Sequence, residues 1–279
     1  MDRAHFGDVT LEYEVKGSGD PVLLIGGAHV AGSYMPLLAQ PELIDWYRLI
    51  RYHKRGMAGS THTTGTVSIA DHASDAARLL DHLSVSRVHV VGHSSGGAIA
   101  LQLALDHPDR VETLVLLEPA LLWVPAAEAF FAKAAPSVEA YNAGNHEEAV
   151  ATFLSAASGL DWQRCRAMIE RNVPGGVDQA IADADTFFTI ELPAVAGWRI
   201  TADQAATIRK PVLLVLGTRA DPMFVEAAEL LRRWLPQVED LKLDLGHLLH
   251  MEQPKPVAVG LADFFARRPI GVVSSAAHR

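Results

Sequence analysis

The stretch from Arg87 to Asp106 restricts the possible folds more than any other part of the chain. Arg87-Val88-His89-Val90-Val91 is a short, β-branched run; Gly92-His93-Ser94-Ser95-Gly96 follows; Ser95 to Asp106 then continues in small and apolar residues at helical spacing until Pro108. The first part reads as a strand and the last as a helix. The turn between them must be tight, and glycines on either side remove the Cβ clashes that such a turn meets. Gly97, Ala98 and Ala100 let the helix lie close to a sheet. A serine at the apex of a strained strand-to-helix turn presents its hydroxyl beyond the carboxyl end of the strand. Ser94 is therefore the candidate nucleophile.

Elsewhere short apolar runs alternate with longer helical patterns, which is the signature of an α/β fold. Val22 to Ile25, Tyr47 to Tyr52, Leu114 to Leu117, Val212 to Leu216 and Leu241 to Leu245 read as strands, and Ala70 to Leu83 and Pro256 to Ala266 as helices. Near-continuous apolar strands predict a mostly parallel sheet flanked by helices on both faces. From about Ala120 to Arg209 the pattern is helical with no convincing strand. This predicts a helical lid, residues 120–209, inserted into a core domain formed by 1–119 and 210–279. Trp123, Phe130, Phe131, Phe187, Phe188 and Trp198 fall in the insert, where each either fills the lid's own core or lines a pocket. Cys165 reads as packed rather than reactive, and Asp183 and Asp185 as a solvated helix face. The small, polar tail after Pro269 is expected to fray.

The 279 residues suit one large domain carrying such an insert. A formal charge of −9 argues against nucleic acid and anionic membranes as partners. No apolar stretch approaches the ~18 residues of a membrane helix. The single cysteine forbids an intramolecular disulfide, and Met1 to Phe6 lacks an apolar leader, so a cytoplasmic location is expected. Thirteen histidines invite a metal reading, but there is no His-Glu-x-x-His and no cysteine pair. Glycine-rich nucleotide loops are also missing from the positions that would give them meaning. Neither a metal nor a cofactor is expected.

Val22–Ala28, Arg51–Ser60, Val90–Ala104 and Gly246–Pro254 resemble the blocks of the α/β-hydrolase superfamily, and the resemblance covers nearly the whole chain. Two departures blur the subfamily: Gly26-Gly27 stands where many members carry His-Gly, and His53 stands where many carry Asp. Serine at position 94 separates the chain from the aspartate-dependent epoxide hydrolases and haloalkane dehalogenases. The superfamily's chain order of serine, acid, histidine implies His247, after Gly246, as the base. His250 is then a satisfied structural histidine or a pocket liner, and His278 belongs to the tail. The oxyanion hole is assigned to the backbone amides of Ser95 and Ala28, with Gly27 as the next choice.

The acid has two candidates. Asp221 follows the strand before the last, where many members keep it, but lies one residue further from Gly217 than usual. Glu118, in Leu116-Leu117-Glu118-Pro119-Ala120, is locally similar to the glutamate of zearalenone lactone hydrolases, and its extra methylene helps it reach across from the neighbouring strand. Glu118 is preferred, with Asp221 the alternative. The resemblance implies a serine hydrolase that cleaves an ester or lactone of a largely apolar small molecule through an acyl-enzyme. C–C bond hydrolysis, or cofactor-free perhydrolase or lyase chemistry on the same triad, is an alternative. A hydrolase-fold ligand receptor with little turnover is an alternative of another class.

Overall fold

A computed structural model describes residues 1–271. Its eight strands are β1 (Asp2–Phe6), β2 (Val9–Lys16), β3 (Asp20–Ile25), β4 (Tyr47–Tyr52), β5 (Val88–His93), β6 (Val111–Leu117), β7 (Val212–Gly217) and β8 (Val238–Leu243). They form one sheet in the order β1-β2-β4-β3-β5-β6-β7-β8. From β4 to β8 every pairing is parallel; β2 joins β4 and β1 antiparallel.

The central strands are apolar because both of their faces are covered. Leu23 and Val90 face one layer, and Leu24 and Val91 the other. Helices α2 (Ile69–His82), α3 (Ser95–Asp106) and α11 (Pro222–Trp234) fill the first layer. Short α1 (Pro41–Ile44) and long α12 (Pro254–Ala266) fill the second. Each Leu or Ile sealed between these layers contributes about 1.5–3 kcal/mol relative to exposure.

The sequence reading omitted β1 and β2. They carry Asp2, Arg3, Glu12, Glu14 and Lys16, so they lack the buried-strand pattern. Phe6 pairs with Val9 across Gly7-Asp8, a two-residue hairpin whose Gly7 adopts φ 69°. That turn was the readable signal. The last strand was placed at Leu241 to Leu245 but runs Val238–Leu243. As an edge strand it is only half-buried, and its charges hid its start.

Between β6 and β7 the chain is helical: α4 (Ala127–Asn142), α5 (His146–Ser158), α6 (Trp162–Asn172), α7 (Gly176–Ala182), α8 (Ala184–Thr186), a π-helical turn (Phe187–Glu191), α9 (Leu192–Gly197) and α10 (Ala202–Thr207). These helices share a third apolar cluster, which includes Val150, Leu154, Cys165 and Ile169. Val30 and Leu248 join it from loops of the sheet layer, and Met251 from the short helix Leu249–Glu252. Cys165 is buried, and burial pushes its thiol up to about 11, so it packs as a small apolar group. Asp183 departs from expectation. It is 2% exposed and accepts a hydrogen bond from the Ala58 amide at 2.9 Å, tying the helical layer to the loop after β4. Asp185 stays exposed and accepts from the Tyr141 hydroxyl. The expected fraying tail lies, from residue 272 onward, outside the described residues, and so does His278. No helix among the described residues is long and apolar enough to cross a membrane.

Candidate active site

Ser94 occupies the junction of β5 and α3 with φ 52° and ψ −119°, a conformation that L-residues rarely adopt. Its amide donates to Leu117 O at 3.0 Å, and its carbonyl accepts from Gly97 and Ala120 amides at 2.9 and 3.0 Å. These bonds hold the strained turn between two parallel strands. The turn also needs Gly96: a Cβ there would sit 2.2 Å from Ile25 O. Gly27 is equally constrained, since its Cβ would meet His93 Nδ1 at 2.8 Å and Ser94 Cβ at 3.2 Å. The loop after β3 thus runs directly against the serine. The Ser94 residue retains some exposure, while its neighbours His93 and Ser95 are buried.

His247 follows β8 and is 3% exposed. Its Nδ1 lies 2.7 Å from Glu118 Oε2. Glu118 itself is fully buried, with φ 43°, at the tip of β6. Its other oxygen accepts from the Gly217 amide at 2.7 Å. A carboxylate can only accept, so the imidazole carries its proton on Nδ1 and leaves Nε2 free to take one. The Phe224 ring stacks on the imidazole at 3.9 Å and 10°, restricting its rotation. Asp221, the alternative acid, does other work. It caps α11 through the Met223 amide at 3.1 Å and pairs with Lys133 at 3.0 Å.

Three positioning contacts were missed from sequence. His93 donates from Nε2 to His247 O at 2.9 Å and so ties the turn of one loop to the other. Glu252 accepts from the Gly246 amide at 2.8 Å and is itself paired with Arg219. Phe224 was unremarkable in a helical pattern. Only the third dimension brings His93 and Phe224 to His247, so no local signal announced them, whereas Glu252 lies six positions from Gly246. His250 differs from its expected role. It is fully buried between Tyr34 and His93, its ring nitrogens have no partner among the described residues, and it does not line the cavity. Burial, with a smaller contribution from His247, pushes it down to about 3, so it is neutral.

Ser94 and His247 open on one cleft. Ala28 and Ser95 line it beside them. The rest is mostly apolar: Leu122, Phe130, Phe153, Leu154, Phe187 and Val195 from the helical layer, with Met223 and Phe224 from α11. Of the six aromatic residues singled out in the insert, Phe130 and Phe187 reach the cleft. Trp123 stacks on Trp234, Phe188 on Tyr141, and Trp198 donates to Gln102 Oε1 at 2.8 Å, while Phe131 is exposed. The Ala28 amide has no protein acceptor among the described residues, and the Ser95 amide is the first of α3, a position with no intrahelical partner. Two free amides beside a serine hydroxyl can stabilise negative charge on a carbonyl oxygen.

Comparison with known proteins gives partial and whole-length matches. RutD of Azorhizobium caulinodans, whose name assigns it provisionally to carbamate hydrolysis, is 39% identical over 118 residues, 42% of this chain and 44% of that one. The chain thus spans under half the length of the first curated relatives it matches. A hydrolase structure from Pseudomonas aeruginosa superposes with a TM-score of 0.77 at 25% identity, covering 95% of this chain and 97% of that one. Est816, described as an N-acyl homoserine lactone degrading enzyme, gives 0.67 at 26% identity, covering 94% and 100%. Residues 21–254 match the family described as the alpha/beta hydrolase fold, and with the strand order and the turn at Ser94 this places the chain in that family.

Proposed function

We propose that the protein is a serine hydrolase that cleaves an ester or lactone of a largely apolar small molecule. One observation carries the reading: the buried Glu118 carboxylate lies 2.7 Å from His247 Nδ1, in a cleft that the strained Ser94 also lines. In this mechanism His247 Nε2 takes the Ser94 proton as Oγ attacks the carbonyl carbon. The amides of Ala28 and Ser95 hold the resulting oxyanion. The tetrahedral intermediate collapses, His247 protonates the leaving alcohol, and an acyl-serine remains. His247 then deprotonates a water that attacks the acyl carbon, and the acid departs as Ser94 regains its proton. Glu118 keeps its negative charge throughout and stabilises the imidazolium.

The lining supports an apolar substrate, since small-molecule pockets have mostly apolar walls with a few polar groups that fix orientation. The lactone half of the proposal draws on the likeness to Est816 and on the glutamate after β6. The test is a panel of p-nitrophenyl esters and aliphatic lactones with a fluorophosphonate label. Wild-type enzyme should take up one label per chain and hydrolyse medium-length apolar substrates best. Ser94→Ala should lose the label and about 10⁴–10⁶ of kcat. Full turnover in Ser94→Ala would falsify the mechanism, and a preference for charged, hydrophilic acyl groups would remove the substrate class.

A further inference from the structure

Lys54 is a buried cation beside the proposed oxyanion hole, and the mechanism above gives it no role. It lies in the loop after β4 and is 2% exposed. Its ammonium forms an ion pair with Glu191, the last residue of the π-helical turn, which is 3% exposed. It also donates to Gly27 O at 3.1 Å and makes a longer contact, 3.4 Å, with Ser95 Oγ. A lysine is costly to bury, and an ion pair of this kind stabilises a fold little better than apolar side chains of equal volume. Its partners suggest a different use.

Gly27 O and Ala28 N–H belong to one peptide group. That peptide is trans, as are all peptides of the described chain, so the carbonyl and the following N–H point in opposite directions. A donor that grips Gly27 O on one side turns the Ala28 N–H to the other. Ala28 lines the cleft, and its amide has no protein acceptor among the described residues. The ammonium also polarises the peptide, which makes the N–H a stronger donor to an anion. The second contact falls on Ser95, whose amide is the other proposed donor. Neighbouring imidazoles do not supply positive charge. Burial above all, with Lys54 adding to it, holds His29 down at about 3, and burial, followed by His250 and His247, holds His93 well below its ordinary range.

We propose that Lys54 is a positioning residue for the oxyanion hole: it fixes the Gly27–Ala28 peptide with its N–H toward the cleft, and Glu191 in the helical layer holds the ammonium in place. The proposal rests on the acyl-transfer reading of Ser94. It makes that layer part of the catalytic geometry as well as a wall of the pocket. A competent oxyanion hole then requires the π-helical turn to be seated against the loop after β4.

The experiment compares wild type, Lys54→Met, Glu191→Gln and the double variant Lys54→Met/Glu191→Leu on p-nitrophenyl butyrate. Inhibition by an alkyl trifluoromethyl ketone, which forms an oxyanion on the serine, is measured alongside. Lys54→Met should lose on the order of 10²–10³ in kcat, the range seen when one oxyanion donor is removed, with KM little changed. The ketone's Ki should rise in step with the loss of kcat/KM. Glu191→Gln should show a smaller loss in the same direction. The double variant leaves no buried charge unpaired, so it should fold well and still be slow. If it recovers wild-type kcat and ketone affinity, the pair is structural glue and the proposal fails. If Lys54→Met folds and keeps its kcat, the proposal fails as well. Fluorophosphonate labelling of each variant at Ser94 separates these results from a failure of the serine mechanism, which would show as an unlabelled wild type.

Discussion

At the scale of single residues, Glu118 and Asp221 offered the same chemistry from two places in the chain. What separates them is where their oxygens end up. Glu118 is fully buried; its two oxygens are bonded to the Gly217 amide and to His247. Asp221 faces an amide of its own helix and an exposed lysine. Glu118→Gln replaces one oxygen by a donor, which cannot accept from Nδ1 and favours the wrong tautomer. Its kcat should fall about 10⁴-fold. Asp221→Asn keeps a cap oxygen and should cost under about 1 kcal/mol of stability, with turnover within a few-fold. Kinetics on both variants, with folding checked by circular dichroism, test the assignment. Collapse in Asp221→Asn beside normal turnover in Glu118→Gln would reverse it. The residues around His247 teach a related lesson. His93 was visible as the second residue of a pentapeptide, but its bond to His247 O spans 154 positions, and no local pattern encodes such a bond.

At the scale of elements, the segment between β6 and β7 divides its aromatic side chains between two jobs. Phe130 on α4, Phe153 on α5 and Phe187 on the π-helical turn converge on the cleft, whereas Trp123 stacks on Trp234 of α11. Helical periodicity gives the apolar face of each helix but not the partner it meets. Buried apolar faces of a cap look the same in sequence whether they meet each other or a substrate. Phe153→Ala should therefore change selectivity. Enlarging the wall should raise kcat/KM for branched or aryl acyl esters relative to butyrate by about tenfold, since one methylene of fit is worth about 1–3 kcal/mol. Trp123→Ala should leave that ratio unchanged. A competition assay with paired esters reads both, and equal ratios in wild type and Phe153→Ala would remove Phe153 from the acyl pocket. The turn at Ser94 is the opposite case. Its strand, glycines and helix are contiguous, so its geometry was legible without the rest of the molecule.

At the scale of the whole molecule, burial of histidines sets an acid limit. His29, His72 and His250 are each buried and held at about 3, by burial first and then by neighbouring charge. Their folded-state values lie below the ordinary 6.5, so the unfolded chain binds more protons than the folded one between these limits. Their stabilising contribution is complete above about pH 6.5 and is lost as pH falls toward 3. Each such group costs about 1.4 kcal/mol per pH unit in that window, so three together remove about 6 kcal/mol by pH 5. That is comparable to the net stability of a typical domain. Urea midpoints should be flat from pH 8 to 7 and fall steeply below 6. His72→Leu, in α2, should flatten the slope. A midpoint independent of pH down to 5 would show that these imidazoles are not held neutral.

Features decided by neighbours along the chain were determined by the sequence alone. The strand–turn–helix at Ser94, the apolar parallel strands and the helical character of residues 120–209 all follow from propensity, glycine placement and hydrophobic period. Features decided by distant partners waited for the tertiary structure. The edge strands β1 and β2 were hidden because half-buried strands carry charge, and Asp183 was hidden because its partner is the Ala58 amide. The choice of Glu118 over Asp221 depended on which carboxylate the parallel sheet carries to His247. Lys54 lay in plain view within a recognised block, yet its meaning depends on Gly27, Ser95 and Glu191, which the fold gathers from three separate elements. The physical reason is the same in each case: a period or a turn is written in adjacent residues, whereas the partner of a buried polar group is set by how layers pack.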